Sequence, residues 1–279
     1  MGKENKRILR YPMIIPGLTS VTFRNRTPQE VVRMALKAGL MGIEWGGDIH
    51  VPVGDVNQAA KVFGLTRNSG LQVSAYGSYY TVGKSSDDGI RFDDVLQTAE
   101  ALNAPVIRIW AGENGSGEST QKYRRMVLDE TLKIADEAGR SGIGLAFEFH
   151  ENTLNDSYEA CCELLTDLNH PVVNTFWQPV HGAGPDINGA GIDLILPWIV
   201  GVHIFHWWPK AEIRLPLRHG EGDWKEYLYR LSGLSRKIFG NLEFIKDNSQ
   251  EQFFNDASTL LELTGYNNIN GGREINGSV

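Results

Sequence analysis

The chain has 279 residues, 41% hydrophobic and 22% charged, with a net charge of -7; these are the proportions of an ordinary globular protein and exclude a disordered or fibrous one. The acidic balance also argues against nucleic acid or an anionic membrane as main partner, since both need clustered Lys and Arg. A small molecule is the expected partner, and the length suits one α/β barrel of about 250 residues.

In chain order, residues 1–11 are charged and lack the apolar core of a signal peptide. The first β-type run is "MIIPGLTS" at 13–20. It is followed by "RTPQEVVRMALKAGL", a predicted helix with Thr27 as N-cap, Pro28 at its first position, Glu30 at its third and Gly39 as its stop. "MGIEW" and "LQVSAYG" are the second and third runs, separated by a helical segment that ends on "RNSG". Phe92, Val95, Leu96, Ala99 and Leu102 then repeat at helical spacing before "APVIRIW". A long helical segment closing on "EAGRSG" leads to "IGLAFEFH", and "PVVNTFW", "VGVHIFH" and "NLEFI" complete the series. Eight β-then-α units with no Pro, Gly or Ser linker predict a single (β/α)8 TIM barrel, with a parallel eight-stranded core over residues 12–265 and peripheral termini at 1–11 and 266–279. The most apolar stretch, "IDLILPWIVGVHIF", is interrupted by Asp193, Pro197 and His203 and is too broken to span a membrane. The only cysteines, Cys161 and Cys162, are adjacent and poorly placed to bridge each other, so a reducing, cytoplasmic setting is expected.

In such barrels the chemistry sits at the C-terminal ends of the strands. The residues there are Glu44 and Trp45, Tyr76, Arg108 and Trp110, Glu148 and His150, Gln178 and His181, His203 and His206, then Glu243 and Lys246. Carboxylates at the ends of buried strands are costly unless paired or coordinated. Glu148, Gln178, His203 and Glu243 together offer three oxygens and one imidazole, which suits one divalent ion, Mn2+ first with Mg2+ or Co2+ as alternatives. A structural zinc site would use Cys or several His, and "HENTL" fails H-E-x-x-H at Leu154.

A sugar or polyol substrate is expected because Trp45, Trp110, Trp177, Trp207 and Trp208 lie at or just past strand ends, where flat apolar faces stack on C–H surfaces. Tyr76 and His150 share that rim, and His50, Arg108, His181 and Arg214 are candidate hydroxyl binders or an auxiliary acid. Ordinary core packing is the competing reading for each tryptophan, and a structural salt bridge for Arg108. A phosphorylated substrate is disfavoured, since the Gly-rich "HGAGPDINGAG" holds Asp186, is followed by Asp193, and contains no Lys or Arg.

The segments "GIEWGGDIHVP", "LAFEFHENT", "VVNTFWQPVHG", "VGVHIFHWW", "RHGEGDWKEYL" and "LEFIKD" resemble the xylose isomerase-like TIM-barrel superfamily of sugar isomerases, ketose 3-epimerases, inosose dehydratases and endonuclease IV. The resemblance implies one divalent metal held by a Glu, an Asp, a His and a Glu on strands five to eight, here Glu148, Gln178, His203 and Glu243. It also implies that Glu148 and Glu243 act as acid and base on opposite faces of a sugar. Gln178 departs from the family pattern, in which an Asp is followed three residues later by a His, here His181. Two carboxylates and a dication then sum to zero, so a weaker site with a stronger Lewis acid is expected.

The function this implies is a metal-dependent sugar isomerase or epimerase working by proton abstraction next to a carbonyl through an enediolate, with His181 as a third catalytic candidate. The alternatives are a metal-dependent dehydratase or lyase acting on a keto-sugar, keto-glycoside or inosose, and a non-catalytic sugar-binding barrel that has lost its metal. An endonuclease would need several metals and a basic groove, which an acidic chain does not offer. The sequence is compatible with a homo-oligomer or a partner subunit and selects neither.

Overall fold

The computed structural model describes residues 13–266; of the segments 1–11 and 266–279, read above as peripheral termini, all but Tyr266 lie outside the described residues. Eight parallel strands form a closed barrel: β1 (Ile14–Thr19), β2 (Gly42–Gly46), β3 (Gln72–Thr81), β4 (Val106–Trp110), β5 (Gly144–Glu148), β6 (Val173–Trp177), β7 (Ile199–Ile204) and β8 (Ile238–Leu242). Each strand pairs with its sequence neighbours, and β1 closes the ring on β8 through Ile14–Leu18 against Ile238–Leu242. Eight helices cover the outside: α1 (Pro28–Lys37), α2 (Val56–Asn68), α3 (Phe92–Ala101), α4 (Gln121–Arg140), α5 (Tyr158–Leu168), α6 (Pro185–Ile195), α7 (Glu221–Leu231) and α8 (Gln250–Thr264). The expected TIM barrel is the fold.

Local chemistry explains the element starts. Thr27 and Glu30 form the capping box of α1, each satisfying a backbone N–H near the other, while Asp55, Thr120, Ser157 and Ser249 cap α2, α4, α5 and α8 through their side chains. The main core lies between strands and helices and holds Trp45, Trp177, Trp224 and Phe253, all buried. Inside the barrel a small apolar layer of Ala75, Val106, Ala146 and Phe176 forms a floor. No helix among the described residues is long and apolar enough to cross a membrane. Cys161 and Cys162 are both free thiols.

Two strands differ from the sequence reading. The last strand lies three residues earlier than "NLEFI" and includes Gly240, where a Cβ would meet Ile14 Cγ2 at 2.5 Å and Ile204 Cδ1 at 2.6 Å. Glu243 therefore follows the strand instead of lying within it. β3 runs on to Thr81, and its register against β4 shifts between Gly77 and Tyr80. At this bulge Tyr79 takes a positive φ of 59°, a conformation a bulky residue seldom adopts, and its ring turns toward Trp110 and Arg108.

Candidate metal centre

Strand alternation decides which side chains meet inside the barrel, because neighbouring residues on a strand face opposite sides. Glu44, Arg108, Glu148 and His203 point inward and meet above the floor, and Asn241 joins them from β8. His203 is fully buried. Its Nδ1 faces Gln178 Oε1 at 3.1 Å, Glu243 Oε2 at 3.4 Å and Glu148 Oε1 at 3.6 Å, while Nε2 faces Glu44 Oε2 at 3.0 Å. Ligand atoms of Glu148, His203 and Glu243 all lie within 4.8 Å of one another. The four residues read as a ligand set are thus brought to one point.

These donors fit a hard or borderline divalent ion, with Nδ1 of His203 on the ligand side and the Nε2–H donating to Glu44. The carbonyl oxygen of Gln178, 3.1 Å from His203 Nδ1, stands at the same place without charge. A prediction follows from that neutrality: Gln178→Glu, which adds a charge at nearly constant shape, is expected to tighten Mn2+ binding roughly tenfold or more. Unchanged affinity in calorimetry would remove Gln178 from the ligand set.

The wider network is ionic. Arg108 donates from Nε to Glu44 Oε1 at 2.6 Å and from Nη1 to Glu148 Oε2, and Asn241 donates to Glu44 Oε2 at 3.2 Å. Glu148 Oε2 also accepts from the indole of Trp110 at 2.5 Å. Burial alone would push the Glu44 carboxyl up, but Arg108 and His203 outweigh it and hold it down at about 2. Burial would likewise lower His203, yet Glu243 and Glu44 raise it to about 9. Glu243 differs from both: burial first, then Glu148, pushes its carboxyl up. Among the described residues His203 Nδ1 is its ion-pair partner.

The other predicted site residues divide into three groups. Trp110 reaches the centre, and His150 stacks on it with ring centroids 5.0 Å apart. Arg108 also reaches it, as a buried cation bridging two carboxylates. Trp45, Tyr76 and His50 turn away. The Trp45 indole donates to Thr66 of α2, Tyr76 Oη donates to the Val51 carbonyl, and His50 is held between Ser20 Oγ at 3.0 Å and the Arg26 carbonyl at 3.1 Å. All three are buried in packing beside β2 and β3.

His181, Trp207 and Arg214 form a third group at the rim. His181 stacks on Trp207 at 5.1 Å, and its buried Nδ1 has no hydrogen-bond partner among the described residues. Arg214 lies over the rings of Trp207 and Phe244, at 5.4 and 4.9 Å from their centroids. Trp208 is exposed on the short ladder that pairs His206–Trp207 with Arg214–Leu215. Trp177 is buried beside Trp224 and Tyr227. A cavity of about 500 Å3 beside Tyr80, Phe92 and Glu130 contains none of these residues.

Sequence reasoning named Glu44 only as a strand-end residue without a role, and left out Asn241, Tyr79, Arg24 and Phe244. Glu44 stood at a strand end, but nothing local shows that it clamps His203 and Arg108. Arg24 donates to Asp48 at 2.8 Å and to the Tyr79 hydroxyl at 2.8 Å, and its guanidinium lies over Phe244. Phe244, at a φ of 39°, is fixed by its N–H on Thr22 Oγ1 and by its carbonyl, which accepts from Trp207 Nε1.

Comparison with known proteins agrees with this picture. A 3-dehydroshikimate dehydratase of Bacillus anthracis is 23% identical over 200 residues, 67% of this chain and 70% of that protein. A crystal structure of the probable 3-DHS dehydratase of Bacillus anthracis superposes with a TM-score of 0.75 at 18% identity, covering 88% of this chain and 98% of its own. The 3-keto-D-glucoside 4-epimerase of E. coli superposes with a TM-score of 0.68 at 15% identity, covering 89% and 99%. The profile of the xylose isomerase-like TIM barrel family matches residues 32–251, well over half of the chain, and the chain belongs to that family.

Proposed function

We propose that the protein is a divalent-metal-dependent isomerase or epimerase of a non-phosphorylated sugar or keto-sugar, moving a proton on the carbon next to a carbonyl. The observation that carries this reading is the buried convergence of Glu148, His203 and Glu243 on one point, with the Gln178 carbonyl beside them. The chemistry a divalent ion supplies at such a donor set is polarisation of a carbonyl and stabilisation of the oxyanion that forms.

The remaining work falls to the chain's own groups. Arg108 and Trp110 both donate to Glu148 Oε2, which fixes that carboxylate in direction. Burial and the neighbouring Glu148 raise the proton affinity of Glu243, which serves as the base. The floor of Ala75, Val106, Ala146 and Phe176 closes the barrel below the site and keeps water from reaching it from that side.

One observation favours elimination as a second reading. His150 stacks on the same indole that donates to Glu148, so an imidazole that could hand a proton to a leaving group stands one ring away from that carboxylate. A base plus such an acid gives a dehydratase or lyase, and the dehydratase relative supports it.

Titration calorimetry with Mn2+ tests the metal reading without any substrate. His203 must lose its Nδ1 proton to become a ligand, and its environment holds that proton up to about 9. Binding at pH 7 is therefore expected to release about one proton per ion, seen as a dependence of the heat on the buffer's ionisation enthalpy, and the release should fade above pH 9. His203→Gln should lose most of the affinity. A wild-type protein that binds no Mn2+, Mg2+ or Co2+ would end this reading and favour the sugar-binding barrel.

A further inference from the structure

We infer that the substrate is an acid, a keto-sugar or keto-polyol carrying a carboxylate, and that Arg214 receives that carboxylate at the rim of the barrel. The inference deepens the proposed function and rests on it.

The first support is the state of Arg214 itself. Among the described residues its one hydrogen-bond partner is Asn248 Oδ1, at 3.1 Å from Nη1, and it forms no ion pair. Arg33, Arg67, Arg140 and Arg236 also lack ion pairs, but all four are exposed to water. Arg214 is partly buried, and burial lowers its pKa. A covered guanidinium with no counter-ion is a cost to the fold that a bound anion would relieve.

The second support is its fixed geometry. The guanidinium lies over both Trp207 and Phe244, so its fork is held in place and keeps free N–H donors for a planar oxyanion. Phe244 directly follows Glu243, and the hydrogen bond from Trp207 Nε1 to the Phe244 carbonyl ties the two rings together. Arg214 thus packs on the ring of the residue that directly follows the proposed base.

The third support is charge. With a dication at the centre, the charges of Glu44, Glu148, Glu243 and Arg108 cancel if His203 is neutral. At the rim Arg24 is paired with Asp48 at 2.8 Å. Glu151 and Glu212 add acidic charge near His181 at the same rim, and Arg214 forms an ion pair with neither, in a chain whose net charge is -7. A neutral sugar would leave Arg214 without an ion pair among the described residues, whereas a substrate carboxylate would supply one.

The test uses Mg2+-loaded full-length protein and matched pairs of ligands: D-glucuronate with D-glucose, D-galacturonate with D-galactose, and quinate with methyl quinate. Binding is read by saturation-transfer NMR and by competition. The expected result is that the acid binds at least roughly tenfold tighter than its neutral partner in one or more pairs, as one charge-assisted bidentate contact provides. Arg214→Gln should erase that preference, Arg214→Lys should keep part of it, and both variants should bind Mg2+ as the wild type does. No acid preference in any pair, or a preference that survives Arg214→Gln, overturns the inference. Failure of the proposed function is a different result, because the protein would then bind no divalent ion whatever stands at 214.

Discussion

Arg108→Met is expected to destabilise the protein by about 3 to 5 kcal/mol, the usual cost of leaving buried charges without their partner. Both carboxylates that Arg108 holds, Glu44 and Glu148, are themselves buried, so the variant keeps two anions facing one another with less cation between them. The fall should appear as a drop in melting temperature on the order of 10 °C, measured on metal-free protein to keep ligand binding out of the comparison. The charge argument makes a sharper claim than packing alone. The double variant Arg108→Met with Glu44→Gln should recover part of the loss, since it removes one of the stranded charges. A single variant within about 1 kcal/mol of wild type, well below the buried-pair range, would show that the ion network contributes little to stability.

Glu243→Gln is expected to lower turnover by about 10^2 to 10^4-fold while changing substrate binding far less. Gln keeps an oxygen at the centre and removes the proton acceptor. The structure gives a reason to choose this carboxylate over Glu148: Oε2 of the latter is already occupied by donors from Arg108 and Trp110, whereas burial and Glu148 push the Glu243 carboxyl up. The decisive measurement is solvent exchange. Deuterium from heavy water should enter the carbon beside the substrate carbonyl with the wild type and fail to enter with Glu243→Gln. Retained exchange in the variant would assign the base to Glu148 or His181.

Much of the fold was legible because each strand is a short apolar run followed by a segment of helical period, and because the caps at Thr27 and Gly39 mark where α1 begins and ends. The ligand positions were legible because polar groups ended four consecutive apolar runs. The facing of the rim residues was only half read, though strand alternation could have sorted them. If Glu44 points into the barrel, Trp45 cannot, and Tyr76 is paired with Trp45 in register. By the same rule Trp110 follows Arg108 inward, and His150 stands two residues beyond Glu148. The rest was not local. Glu44 and Arg108 are 64 residues apart in sequence, and no pattern in either segment announces the other. The positive φ values at Tyr79 and Phe244 are also unreadable, because aromatic residues give no signal for a conformation they seldom adopt.

The seam between β1 and β8 has a consequence for how the molecule becomes competent. Thr19 Oγ1 donates to the Leu242 carbonyl at 3.1 Å across a separation of 223 residues, and Glu243 is the next residue. Ordering contacts of such long range is entropically expensive and slow. The last oxygen of the ligand set therefore arrives only when the two ends of the barrel join, and any intermediate that lacks β8 holds at most Glu148, Gln178 and His203. Full-affinity ion capture during refolding would then report ring closure itself, and a chain shortened before Ile238 would be silent in that assay however many of its helices had formed.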